Sequence, residues 1–132
     1  HASDIAAQAC EFSCHILVDL INGAPWEKAI AEAPDLTELT IITSGYWQTK
    51  SREQISSSGY VLDTLEAALW CVEHSQSFDE AVLLAANLGD DADTVASVTG
   101  QFAGARYGLS AINPSWVEAV RSHGYPSLER DA

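Results

Sequence analysis

The sequence has few basic residues, no methionine and no long apolar run. It carries 6 Lys and Arg against 19 Asp and Glu, giving a formal net charge of −13 over 132 residues. A surface this acidic repels a phosphate backbone, so we expect no nucleic-acid partner. No apolar run approaches the roughly 18 residues of a membrane span, and we find no signal-peptide pattern, so we expect no membrane partner.

Cysteine is also scarce. The three cysteines are an odd number and too few for a disulfide framework, which favours a reducing, cytoplasmic location. The chain starts at His1 and has no Met, so we expect a piece of a longer protein. Hydrophobic residues make up 47% and charged residues 19%, which is typical of a single globular domain rather than a disordered chain.

Apolar residues recur mainly with a helical period. They follow steps of three and four from Ile5 to Leu20, with Ser3 or Asp4 as the expected cap and Gly23 as the expected end. A short helix is expected between two prolines, with Pro25 at its first position and Pro34 beyond its end. No segment indicates a strand, so the sequence predicts an all-α, compact helical domain.

The rest of the chain follows the same pattern around one loop-like segment. Residues 35–59 are rich in Thr, Ser, Gly and Gln and are predicted to form the longest loop. Helices are predicted over 60–74 and 77–89, the second opened by a capping box of Ser77 and Glu80. A last short helix is predicted after Asn113 and Pro114.

Small residues recur every fourth position after the sequence GDDADT. The positions are Ala92, Ala96, Gly100, Gly104 and Gly108. Each glycine costs a helix about 1 kcal/mol relative to alanine. We therefore expect these glycines to allow close approach of a neighbouring helix.

The GDDADT segment at 89–94 has two interpretations. Asp90 or Asp91 is suited to cap the following helix, the other acids favouring its positive end. Alternatively, Asp91, Asp93 and Thr94 offer oxygen ligands to a hard cation such as Mg²⁺, Mn²⁺ or Ca²⁺. Three local oxygens do not complete an octahedron, so this alternative requires ligands from elsewhere.

Two weaker patterns have structural explanations that we favour. Cys10 and Cys14 lie four residues apart, and Cys71 and His74 three apart, so a zinc site is conceivable, but ordinary helix packing explains buried cysteines better. Tyr60 is either a hydrophobic staple for its helix or an exposed ring that stacks on a base or sugar, the staple being favoured.

Two stretches together resemble a known family. GYVLDTLEAALWCV at 59–72 and SFDEAVLLAANLGDDADTVASVTGQFAGARYG at 77–108 are similar to the C-terminal half of the ADP-ribosylglycohydrolases. That family includes the ADP-ribosylarginine hydrolases and the glycohydrolase that reactivates dinitrogenase reductase. The resemblance implies an all-α fold and a metal-dependent hydrolase that cleaves the glycosidic bond of ADP-ribosylated acceptors, most often arginine, to release ADP-ribose.

The resemblance also implies roles for individual residues. It implies a binuclear Mg²⁺ or Mn²⁺ site with ligands at Asp91, Asp93 and Thr94, and leaves Asp90 as a cap or outer-shell acid. It implies that His1 and Tyr60 line the ADP-ribose cleft. It assigns no catalytic residue within this chain.

One family feature is missing from the sequence. The Thr-Asp-Asp-Ser or Thr-Asp-Asp-Thr motif that supplies the other metal ligands has no match here. We therefore expect 1–132 to be the C-terminal portion of one domain, with the N-terminal remainder as its partner and with no activity on its own. The alternative is a catalytically inactive member that binds ADP-ribose or has a structural role.

Overall fold

Helices linked by turns and short irregular segments make up the structure. A computed structural model describes residues 2–108, Pro114, Ser115 and Glu118. The helices are α1 (Ala2–Ile21), α2 (Trp26–Ala31), α3 (Thr40–Thr43), α4 (Val61–Glu73), α5 (Phe78–Ala86) and α6 (Ala92–Tyr107). The described residues contain no strand, which confirms the all-α prediction. No helix in this part of the chain has both the length and the apolar character needed to cross a membrane.

Helix α1 packs on the core through the stripe that its period predicts. The buried members are Ala9, Phe12, Ile16 and Leu20. Gly23 ends the helix as expected, with a φ of 95° that glycine adopts without strain. The predicted cap is wrong, because Ser3 and Asp4 already lie inside the helix.

The segment predicted as a loop contains short helical elements. Besides α3, it has 3₁₀ turns at Thr37–Leu39, Tyr46–Thr49 and Arg52–Gln54. The buried Trp47 indole donates to the Ile42 carbonyl at 3.0 Å, which fixes the turn onto the core. Before this segment, Pro25 is the N-cap of α2 rather than its first helical residue, and the helix ends at Ala31, before Pro34.

Helix α4 lies at the centre of the fold. Every residue from Thr64 to Val72 is buried, because α1, α5 and α6 all pack against this helix. Glu66 is among them, and its carboxylate accepts from Lys50 Nζ at 2.9 Å. A buried carboxylate requires such a partner, so this ion pair holds the 35–59 segment against α4.

Helices α5 and α6 form a pair beside α4. Ser77 caps α5, since its hydroxyl accepts from the Glu80 N–H at 3.1 Å, as the capping box predicts. At the far end of α6, the Arg106 guanidinium donates to the Val72 carbonyl at 3.1 Å and lies 5.5 Å from the Trp26 ring centre. This contact joins α6 to α4 and α2.

The explanation of the glycine pattern in α6 is wrong for the described residues. The buried stripe consists of Val95, Thr99, Phe102 and Ala103, which lie at helical spacing on another face. A methyl group added at Gly100 would meet nothing within 4 Å, and one at Gly104 only Phe78 at 3.9 Å. Branched and aromatic side chains, rather than glycines, therefore make the helix contact. The predicted helix after Asn113 lies largely outside the described residues, of which Pro114, Ser115 and Glu118 are helical.

Candidate metal and substrate site

A sharp reversal of the backbone precedes α6. Gly89 has a φ of 89° and Asp90 a φ of 45°, so two consecutive residues adopt left-handed conformations. Glycine takes this conformation freely and aspartate more readily than most residues. Asp91 then occupies the N-cap position of α6. The interpretation of Asp90 as a cap is therefore wrong, because it lies one residue too early and its backbone forms the turn.

Asp91 stands at the N-cap but does not cap the helix with its side chain. Its carboxylate makes no capping hydrogen bond, while its backbone carbonyl accepts from the Val95 N–H at 3.1 Å. The capping interpretation of Asp91 therefore fails at the side chain. The carboxylate is exposed and keeps its oxygens available for a ligand.

The serine-rich segment before α4 holds the GDDADT turn in place. The buried Ser57 hydroxyl donates to the Gly89 carbonyl at 2.9 Å, and the Ser57 carbonyl accepts from the Asp91 N–H at 3.0 Å. A methyl group at Gly59 would collide with the Asp91 carboxylate, so that side chain lies directly over the Gly59 backbone. Sequence reasoning missed Ser57 and Gly59 as parts of the site. The run of serines ending in Gly59 was the available signal.

The next residues of the same segment fix the start of α4. The Ser58 hydroxyl donates to the Asp63 carboxylate at 2.7 Å and accepts from the Tyr60 N–H at 3.2 Å. The Thr64 hydroxyl donates to the Ser58 carbonyl at 3.1 Å. These bonds and those of Ser57 join the starts of α4 and α6 into one unit.

Asp93 and Thr94 lie in the first turn of α6 and are exposed, like Asp91. Two carboxylates and a hydroxyl are donors that hard divalent cations accept, so the residue types fit Mg²⁺ or Mn²⁺. Within the described part of the chain, no three His, Cys, Asp or Glu side chains are grouped to hold a metal ion. The three residues therefore fit as part of a coordination sphere and not as a whole one.

A largely apolar cavity of about 360 Å³ adjoins this turn. It lies between α1 and the first turns of α4 and α6, and Gly59 and Thr94 belong to its wall. Cys10 and Cys14 of α1 and Gln101 of α6 contribute polar or polarisable atoms to the same cavity. The candidate metal ligand Thr94 therefore borders a partly open cavity that a small ligand can enter.

A comparison with known protein families identifies the family of this chain. The model of the ADP-ribosylglycohydrolase family matches residues 1–132, the whole chain. The chain belongs to the ADP-ribosylglycohydrolase family. This confirms the resemblance carried by the segments at 59–72 and 77–108.

Individual relatives agree with the family assignment. ADP-ribosylarginine hydrolase Tri1 of Pseudomonas putida is 50% identical over 124 residues, and the protein of that name from Serratia proteamaculans is 48% identical over 122. Each alignment covers 91% of this chain and 33% of the relative, so the chain spans about a third of the length of the curated relatives it matches. A solved chain described as an ADP-ribosylglycohydrolase-related protein complex superimposes with a TM-score of 0.76 at 38% identity, covering 87% of this chain and 42% of that one.

The family resemblance also assigned Tyr60 and His1 to the substrate cleft. The Tyr60 side chain is 53% exposed, and the residue is the N-cap of α4. A hydrophobic staple lies one position before the cap, so the staple interpretation is wrong and the exposed-ring interpretation fits. Tyr60 directly follows Gly59, whose backbone lies beside the Asp91 carboxylate. His1 lies outside the described residues.

The four-ligand zinc alternative does not form. Cys10 and Cys14 are exposed, with sulfurs 4.0 Å apart, but Cys71 is buried inside α4. Burial raises the pKa of the Cys71 thiol to about 12, which disfavours the thiolate that zinc requires. His74 points its Nδ1 at the Trp70 carbonyl, 3.0 Å away, and its ring stacks on the Trp70 indole. Helix packing accounts for Cys71, as favoured from sequence, but not for Cys10 and Cys14, which are exposed.

Proposed function

We propose that the protein is part of a metal-dependent hydrolase that cleaves the N-glycosidic bond of ADP-ribosylated arginine and releases ADP-ribose. The observation that carries the proposal is the Asp91 carboxylate, which stands at a helix N-cap without capping it and lies against Gly59. The names of the two Tri1 relatives support arginine as the acceptor. A cytoplasmic location is part of the proposal and is supported by the three free thiols.

In this proposal Asp91, Asp93 and Thr94 hold Mg²⁺ or Mn²⁺ in a binuclear site. Their donor types fit a hard cation; Ser57 fixes the backbone of the turn that carries the first ligand, and Gly59 leaves room for its carboxylate. A preorganised ligand loses less entropy on binding than a mobile one. The remaining ligands would come from the N-terminal remainder of the enzyme, because the curated relatives are about three times as long as this chain.

Bound metal supplies stabilisation of developing negative charge and a water activated at neutral pH. The chain itself contributes binding surfaces. The half-exposed Tyr60 ring offers a face for stacking on a sugar or base, and its hydroxyl can hydrogen-bond at the end of the ring. We propose His1 as a second substrate-binding residue on the family resemblance alone. Because the chain carries a net charge of −13, the cations also reduce the repulsion that a diphosphate would meet.

The test is an assay of the full-length protein with an ADP-ribosylated arginine substrate, with Mg²⁺ or Mn²⁺ and with a chelator. Replacing either metal ligand, by Asp91→Ala or Asp93→Ala, is expected to reduce turnover by more than the roughly 10–100-fold that an outer-shell change costs. Asp90→Asn is the matched control, since asparagine also tolerates the left-handed backbone that Asp90 adopts. It is expected to retain activity.

Two results would overturn the proposal. Turnover that survives both alanine substitutions would contradict the assignment of Asp91 and Asp93 as metal ligands. Binding of ADP-ribose by the full-length protein without any hydrolysis would identify the inactive alternative instead. We also expect the 132-residue chain alone to bind metal weakly and to hydrolyse nothing, because it holds only part of the ligand set.

A further inference from the structure

Two thiols project from the same face of α1 into the cavity beside the GDDADT turn. Cys10 and Cys14 are one helical turn apart, and their sulfurs are separated by 4.0 Å. Both residues are exposed and both line the 360 Å³ cavity, together with Ser13 and Gln101. The proposed hydrolase mechanism uses neither cysteine. We propose that Cys10 and Cys14 form a two-thiolate chelate for one thiophilic divalent metal ion of the Zn²⁺ class.

The sulfur separation matches chelation. A tetrahedral ion with metal–sulfur bonds of about 2.3 Å holds two thiolates about 3.8 Å apart. The observed 4.0 Å requires only a small adjustment of the side chains. Binding breaks two S–H bonds and forms two metal–sulfur bonds, and both protons leave to solvent, so no oxidant or reductant is consumed.

A disulfide between the same residues fits less well. Side chains four residues apart on a helix have Cβ atoms about 5–6 Å apart. A disulfide needs about 3.5–4.5 Å between these atoms, so its formation would distort α1. A bridging metal ion spans the wider separation and leaves the helix intact.

The surroundings favour a soft cation. No Lys or Arg is among the described residues that line the cavity, so no fixed positive charge there opposes an ion. The net charge of −13 attracts cations to the chain in general. Thiolate ligands then select soft metals over Mg²⁺, whereas Asp91, Asp93 and Thr94 prefer the hard ones. The pKa of Cys14 is raised, chiefly by its hydrogen bond with Cys10, so a metal ion that binds there must displace a proton from this thiol.

The chelate leaves part of the coordination sphere open. The described residues supply no third His, Cys, Asp or Glu at this position. The Ser13 hydroxyl, the Gln101 amide oxygen and water are the donors left in the cavity. The site is therefore an exchangeable one, unlike the closed four-ligand sites of structural zinc.

A titration of the full-length protein with Cd²⁺ tests the chelate, because cadmium thiolates have a strong ultraviolet charge-transfer band. We expect one equivalent of Cd²⁺ in this band to require Cys10 and Cys14, to bind with release of two protons, and to be displaced by Zn²⁺ but not by excess Mg²⁺. Cys10→Ser and Cys14→Ser should each weaken Cd²⁺ binding at least tenfold. Far-ultraviolet circular dichroism should show unchanged helicity, since both residues are exposed.

Two controls separate this site from the rest of the molecule. Cys71→Ala should leave the band unchanged, because that thiol is buried. Asp91→Ala should also leave it unchanged, which distinguishes the thiol site from the proposed hard-metal site. The proposal is refuted if the parent protein shows no stoichiometric band, or if either serine variant binds Cd²⁺ as tightly as the parent.

Discussion

Gly59 allows a quantitative test of how the Asp91 carboxylate is held. A methyl group at position 59 would collide with that carboxylate, whereas one at Gly100 in α6 would meet nothing within 4 Å. Neither glycine has a positive φ, so alanine fits both backbones. The two substitutions therefore differ chiefly in the collision with Asp91 and in the helical position of Gly100.

The expected changes in the free energy of unfolding differ between the two variants. Gly100→Ala should add about 1 kcal/mol, because alanine favours a helix over glycine by that amount. Gly59→Ala should add about 0.4–1 kcal/mol to the free energy of unfolding, because alanine lowers the conformational entropy of the unfolded chain. The new methyl would meet only the exposed end of the Asp91 side chain, and pushing that side chain off its rotamer costs about 0.5–1.5 kcal/mol. This cost roughly cancels the gain, so we expect Gly59→Ala to be less stable than Gly100→Ala by roughly 1 kcal/mol.

Urea unfolding of the full-length protein, monitored by circular dichroism, measures both values. A double-mutant cycle with Asp91→Ala isolates the collision, because shortening that side chain removes the atom that the new methyl meets. The cost of Gly59→Ala should then disappear. If the same cost persists in the Asp91→Ala background, the Asp91 carboxylate does not lie over Gly59 and the proposed placement of this ligand is wrong.

Other predictions concern the core and its caps. Ser77→Ala should lower the free energy of unfolding by about 1 kcal/mol in the same urea assay, because it removes the side-chain cap of α5, whereas the exposed mid-helix Ser97→Ala should not lower it. Phe102→Ala should cost about 3–5 kcal/mol, since the ring is 1% exposed; a loss below that of Ser77→Ala would contradict the packing. Burial raises the pKa of Cys71 to about 12 from 9.0, so the unfolded chain loses this proton first and stability should fall as pH rises through that interval. The fall should be shallower in Cys71→Ala, and equal slopes in the two proteins would refute the shift.

Helix positions followed from the sequence wherever an apolar period and a local signal agreed. The stripe from Ala9 to Leu20, the end near Gly23 and the Ser77 cap are local properties, and all were predicted. The glycine pattern of α6 was misinterpreted, because spacing shows which residues share a face but not whether another helix covers that face. Val95 and Phe102 are buried instead of the glycines, because a different face of α6 packs against α4 and α5.

The arrangement of the candidate site was harder to predict from the sequence, because it depends on contacts between residues distant in sequence. Local sequence identified Asp91, Asp93 and Thr94 as candidate ligands but by itself favoured a capping role for the acids, and the metal-binding role was preferred only because of the family resemblance. The structure separates these roles at Asp91, whose carboxylate makes no cap bond. Ser57 binds the turn across more than 30 positions of sequence, and the run of serines that contains it does not show by itself which distant segment it contacts.

The sequence by itself determined the family, the helical class and the residue types available to a ligand, because periodicity and a contiguous motif are local. Only the tertiary structure brought the serine-rich segment under the GDDADT turn, exposed the Tyr60 ring and placed the thiols of Cys10 and Cys14 in the cavity that Thr94 borders. The physical reason is that these arrangements depend on how α1, α4 and α6 pack, and the packing follows from the buried side chains of all three helices together.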